Sequence, residues 1–135
     1  MTLDSSRTAV LALHWQVNVI EPEGFFGGLL AAPVARSGVV ARAAAFHDGV
    51  RRVGVPVCFT RFTVPDGEGE LVRNTAFMTA VAGAAESFRP DAAGAALISA
   101  MTVGEHDMVV DNQRLSGLAA SPLAEIGRAS CRERV

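Results

Sequence analysis

The sequence predicts an α/β domain, specifically the N-terminal part of a three-layer α/β/α, Rossmann-like parallel sheet, and three stretches carry that prediction. Thr8 to Leu13 is an apolar run without alternation that stops at His14-Trp15-Gln16-Val17-Asn18. Such a run of about six residues suits a strand covered on both faces, as in parallel sheets flanked by helices. From Val34 to Val53 the positions Val39, Ala43, Phe46, Val50 and Val53 step by four and three, which predicts an amphipathic helix. Val55 to Val64 is a second apolar run, so strand, helix and strand form a right-handed crossover with parallel strands. In such sheets ligands bind beyond the carboxyl ends of the strands. His14, Trp15, Gln16 and Asn18 therefore stand where chemistry is expected.

Composition narrows the function classes. A complete domain of 135 residues could bury roughly two-thirds of its unfolded surface. Half the residues are hydrophobic, yet no segment reaches the roughly 20 continuous apolar residues of a membrane span, and no membrane partner is expected. Residues 1 to 20 lack a signal-peptide pattern, and the expected location is cytoplasmic. The net charge of −2, with scattered arginines, speaks against nucleic acid as a partner. All 12 basic residues are arginine; the chain has no lysine. Cys58 and Cys131 have no metal-ligand spacing, and neither a metal nor a cofactor is expected.

Taken in order, Glu21 to Pro33 reads as a loop by its glycines and prolines and carries Phe25 and Phe26. These aromatics suit an apolar pocket wall or a loop tucked onto the body. Gly24, Gly27 and Gly28 fit neither the dinucleotide fingerprint nor a phosphate loop, which would also need a lysine, so no nucleotide is expected. On the following helix His47 and Asp48 read as solvated, and Gly54 reads as its end. Cys58, mid-strand, reads as a small buried hydrophobe. Arg61 near that strand's end suits either a carboxylate clamp or an ordinary surface position.

Pro65 to Glu70 is an acidic turn, and Leu71 to Phe88 reads as helical in its later part, with Phe77, Val81 and Phe88 on one side. Arg73 and Asn74 precede that helix and could face the cleft. Ala92 to Met101 reads as a short helix and Asp107 to Asp111 as a third strand. Asn112 to Leu118, with Arg114, follows as a loop, and Ser121-Pro122 reads as a helix start with a serine cap.

Ile126 to Val135 breaks with what precedes it: three arginines and a cysteine without apolar periodicity. Together with Glu125 this stretch is similar to a common sequencing-adapter oligonucleotide translated in one frame; the alternative is a natural arginine-rich tail. The expected organisation is therefore residues 1–125 as one domain, incomplete at its C-terminus, and 126–135 as a non-native tail. Removing that tail leaves 9 basic and 13 acidic residues, a net charge of −4.

The order of these pieces resembles the isochorismatase-like cysteine hydrolases over roughly residues 8 to 125. That family opens with a strand ending in Asp-x-Gln-Asn, and Leu13-His14-Trp15-Gln16-Val17-Asn18 occupies the place. Its Gly-x-Pro-Val strand ending in Thr-Arg is matched by Gly54-Val55-Pro56-Val57 and Thr60-Arg61. Its Val-Val-x-Lys strand end is matched by Val109-Val110-Asp111-Asn112, and the Ser-Ala-Phe-x-Gly-Thr-x-Leu that follows by Ser116 to Leu123.

The resemblance implies an Asp/Lys/Cys triad, in which a thiolate attacks a carbonyl-type carbon. Here the Asp place is His14 and the Lys place is Asn112, and the nucleophile would lie on a later strand beyond residue 125. The candidate substrate-binding positions, taken from their places at strand ends and in the adjoining loops, are Trp15, Gln16, Asn18, Phe25, Phe26, Arg61, Asn74 and Arg114. The implied function is hydrolysis of amide or vinyl-ether small molecules by the intact protein, expected by resemblance to be a homo-oligomer, with this stretch alone inactive. The competing implication is a non-catalytic binding or assembly module with a decayed triad. An unrelated doubly wound domain is a third reading, and strand order 3-2-1 separates it from both.

Overall fold

The computed structural model describes residues 4–67, 69, 71–119, 121–123 and 125. The tail 126–135 therefore lies outside the described residues. Three strands, β1 (Val10–Leu13), β2 (Val57–Phe62) and β3 (Met108–Asn112), form a parallel sheet in the order β1-β2-β3. Counted from the far edge this is the 3-2-1 order expected of the first three strands. Leu13 stands opposite Thr60, and Phe62 opposite Asn112, so the carboxyl ends of all three strands converge on one edge.

The helices are α1 (Val17–Ile20), α2 (Gly27–Ser37), α3 (Val39–Arg52) and α4 (Ala76–Gly83). Helix α3 covers one sheet face: Val40, Ala43, Ala44 and Val50 pack on Ala12, Val57, Phe59, Ile98 and Met101. A second core of Phe62, Val64, Met78, Val81, Ala85 and Phe88 joins the end of β2 to α4 and the turn after it. Thr75 starts α4 by accepting a hydrogen bond at Oγ1 from the Met78 amide at 3.1 Å, an N-cap that the threonine's short hydroxyl suits. Cys58 is buried, as expected.

Three expectations need correction. The loop read from Glu21 to Pro33 ends at Phe26, because Leu29 to Ala32 are good helix formers despite the flanking glycines. Pro33 sits inside α2, where it has no amide to donate to the Leu29 carbonyl one turn earlier; Leu29 itself is 73% exposed, on the solvent side of the helix. The single helix expected from Val34 to Val53 is two, bent by 65° where Gly38 takes φ +64°. The buried stripe of α3 is Val40, Ala43, Ala44, His47 and Val50, rotated from the expected one. Phe46 and Val53 are exposed, and His47, read as solvated, is buried. Two alanines let the helix approach the sheet closely, and that stripe places residue 47 inward.

The helix expected over Ala92 to Met101 is only a 3₁₀ turn, Ala93–Ala95. Backbone pairing with the segment after β1 competes for these residues: the Val17 amide donates to Ala96, the Ile98 amide donates to Trp15, and Leu97 bridges Gln16. At the far end the Ser121 hydroxyl accepts from the Leu123 amide at 3.3 Å, a cap-like contact at the expected position.

Candidate functional site

His14 is the first residue after β1 and takes φ +55°, the one non-glycine positive φ among the described residues. Its amide is shared by the carbonyl (3.1 Å) and the hydroxyl (3.3 Å) of Thr60, a buried residue matched as part of the Thr-Arg motif but not expected at the site. The left-handed turn swings the imidazole toward β3. There His14 Nε2 lies 3.1 Å from Asn112 Oδ1. The two positions, 98 residues apart in sequence, are thus neighbours at the carboxyl edge of the sheet.

The direction of this hydrogen bond follows from its surroundings. Asn112 is buried, and its Nδ2 donates to the carbonyls of Arg114 and, at 3.3 Å, Ser116. Its Oδ1 is thereby turned to His14 as an acceptor, so Nε2 carries the proton and Nδ1 keeps its lone pair. Burial holds the His14 pKa below the ordinary histidine value, and the bond to Asn112 offsets only part of that. The imidazole is neutral at pH 7.

Beside His14 opens an apolar cavity of about 320 Å³, walled by residues including Val19, Phe26, Leu29, Leu30, Phe62, Phe77, Val81, Phe88 and Leu115. Phe26 and Phe77 stack with planes 6° apart and centroids 5.3 Å apart, and Phe62 meets Phe88 edge-on at 5.5 Å. Apart from Phe26, these wall residues are absent from the sequence-derived site. Phe77, Val81 and Phe88 share a helical spacing that marked them as one face, and that spacing was the available signal. Leu115 carried none.

The other expected positions divide. Gln16 is fully buried and spent on backbone: Nε2 donates to Phe62 (3.0 Å) and Ala95 (2.9 Å), and Oε1 accepts from the Phe62 amide at 2.7 Å. Asn18 is buried likewise, donating to the Ser87 carbonyl and accepting from the Phe25 amide. Trp15 packs on the α3 side of the sheet against His47. Phe25 braces Phe26 and Phe88 from behind. Arg61 grips Asp111 through two 2.8 Å bonds and also reaches the Pro90 carbonyl. Asn74 is exposed ahead of α4, and Arg114 meets the site through its carbonyl. Of the named residues, the structure therefore brings His14, Asn112 and Phe26 together.

Cys58 is no nucleophile in this setting. It lies inside the sheet, and burial followed by the Asp107 charge raises its thiol pKa. Among the described residues no three of His, Cys, Asp and Glu gather where they could hold a metal ion.

The isochorismatase domain model matches residues 8–135. The chain belongs to the isochorismatase family. Among solved structures it resembles a cysteine hydrolase from Pseudomonas syringae pv. phaseolicola 1448A, with 21% identity and a TM-score of 0.75 over 97% of this chain and 58% of that one. An N-carbamoylsarcosine amidase from Thermoplasma acidophilum matches at 22% identity and TM-score 0.64, over 90% of this chain and 60% of that one. A pyrazinamidase of Pyrococcus horikoshii, solved in complex with zinc, matches at 14% identity and TM-score 0.61, over 90% and 63%. No curated protein matches the chain. This isochorismatase-family chain thus spans about three fifths of the length of these structures, and at these identities the likeness concerns the fold.

Proposed function

We propose that the site belongs to a hydrolase acting on amide or vinyl-ether small molecules, with His14 and Asn112 in the places of the family's Asp and Lys. The observation that carries this is the 3.1 Å contact between the two at the carboxyl edge of the sheet, beside a cavity of ligand size. Two of the similar structures are amidases by name, which supports amides as the substrate class.

In this reading His14 Nδ1 accepts the proton of an attacking thiol that comes from outside residues 1–135. The thiolate adds to the carbonyl carbon, the oxyanion collapses, and the amine leaves with the proton that His14 returns; water then releases the acyl group from sulfur. Asn112 holds the imidazole in the tautomer this requires. Residues 1–135 alone are then inactive.

One observation favours a second reading, a binding module without turnover. Among the described residues the cavity wall and the His14–Asn112 pair contain no cation to favour a thiolate, and the Asn112 amide is already occupied. Ammonia release from a panel of primary amides and N-carbamoyl compounds separates the two. The hydrolase reading expects release by the product of the full native gene, its loss in His14→Leu, and none by residues 1–135. Amide turnover by residues 1–135 that His14→Leu abolishes would overturn the need for an outside thiol. A full gene product that binds amides without turnover establishes the second reading.

A further inference from the structure

We propose that the outer face of α2 docks on the same face of a second copy of this chain, the two helices lying antiparallel so that Arg36 of each protomer meets Glu21 and Glu23 of the other. Three observations carry it.

First, α2 has no polar side chain from Gly27 to Ala35, yet Gly28, Leu29, Ala32, Pro33 and Ala35 are exposed. Its covered side packs on α1 and α3. A helix at the surface of a globular protein ordinarily turns a polar face to water, so an apolar outer face points to a partner.

Second, that face borders an open groove of about 580 Å³, lined by Gly28, Ala31, Ala32 and Ala35 on α2, with Ile20 and Val40 opposite. Gly28 and Ala32 are one turn apart, and so are Ala31 and Ala35. With no long side chain in the way, a second helix can approach to about 8 Å between axes, the short end of helix packing.

Third, the groove carries opposite charges at its two ends, and neither is used within the protomer. Glu21 borders it beside Gly27 and Gly28, with Glu23 exposed two residues on, and Arg36 stands in the last turn of α2. None of these three side chains makes an ion pair or a hydrogen bond among the described residues. This polarity is what selects a second copy as the occupant. Ala32 lies midway between Gly28 and Arg36, so a two-fold axis at Ala32 sets Arg36 of one copy against Gly28 of the other, beside its Glu21. A parallel pairing would bring like charges together. The helix dipoles favour the antiparallel arrangement as well, and because the same patch serves both copies, the contact closes at two.

The contact is small. A helix of 11 residues is about 16 Å long. Two such faces bury less than the roughly 1,200 Å² of a standard complex, so the dimer is weak and concentration reveals it.

Sedimentation equilibrium of the 135-residue chain from about 10 to 500 µM tests this, with three samples beside the unaltered chain: Arg36→Glu, the pair Glu21→Arg with Glu23→Arg, and their equimolar mixture. Either variant alone should dimerise about tenfold more weakly than the unaltered chain, since both ends of its interface then join like charges. The mixture should regain the original affinity, because both ends of the mixed pair again join opposite charges. Association through any other face would be the same in all these samples. Ala32→Trp, exposed at the middle of the helix, gives a second readout without touching a charge: it blocks the close approach and should also weaken dimerisation about tenfold. Far-UV circular dichroism checks that each variant is folded. A chain that stays monomeric throughout leaves the groove to a different partner and overturns the proposal. A dimer indifferent to the charge reversals, or a mixture no tighter than its components, overturns it too.

Discussion

At the scale of single residues, the polar side chains near β1 do two different jobs that look alike in sequence. Gln16 closes three hydrogen bonds to backbone that has no access to water. Gln16→Leu should therefore cost about 2–4 kcal/mol in urea denaturation, because buried donors and acceptors are orphaned and not merely unpaired from one another. His14 and His47 are both held below the ordinary histidine pKa by burial, His47 with an Nδ1 that meets no partner. The unfolded chain then binds protons more readily than the folded one. Stability should be full above about pH 6.5 and fall as the solution is acidified below it, read as a declining melting temperature. His47→Leu should flatten part of that slope. The position of His14 was legible because an apolar run ended there. Its pairing with Asn112, 98 positions away, came only from the family resemblance that put the two in one triad; the residues taken one by one carry no sign of the contact.

The secondary-structure elements were legible where periodicity and packing agreed. β1, β2 and β3 all appear at the expected runs, the first two shortened at their ends and β3 shifted by one residue. The failures have one cause: tertiary contacts overrode local signals. Gly-Pro punctuation suggested a loop where α2 forms, and a promising helical run at Ala92 to Met101 was claimed instead by backbone bonds to Trp15 and Val17. The break between α2 and α3 rests on Gly38, which turns left-handed and caps α2. Gly38→Ala meets nothing closer than the Arg42 guanidinium at 3.4 Å, so its cost is conformational. About 1 kcal/mol of lost stability is expected, measured by thermal melting. Gly24→Ala should cost far more, since a Cβ there would collide with the backbone of Val17 and Asn18. Equal effects of the two substitutions would show that the bend, and not the close approach, governs this region.

For the whole molecule, the sheet is unevenly clothed. Helix α3 seals one face, whereas Leu11 and Leu13 on β1 remain 43% and 49% exposed on the other. An edge strand with adjoining leucines in the open is prone to self-association. Residues 1–135 should scatter light increasingly with concentration, and the double substitution Leu11→Thr, Leu13→Thr should suppress this while the far-UV circular dichroism stays unchanged. Retained scattering would place the sticky surface elsewhere. The family and the parallel order of the sheet could be anticipated from three strand motifs. The cavity could not, because its walls come from α2, α4 and the 112–118 loop, whose mutual placement only packing decides.

Asp107, just ahead of β3, accepts hydrogen bonds from the first amide of β2 at Val57, from the Gly104 amide and from Arg51 at the end of α3. Burial alone would raise its pKa, but these donors outweigh it and keep the carboxyl ionised below the usual range. The carboxylate works as a register pin. Sliding β3 by one residue along β2 would pull Asp107 off the Val57 amide and Arg51 and turn Asn112 away from His14. The alignment that places the two halves of the site 3.1 Å apart is thus set at the opposite end of the strands, by a side chain outside the site.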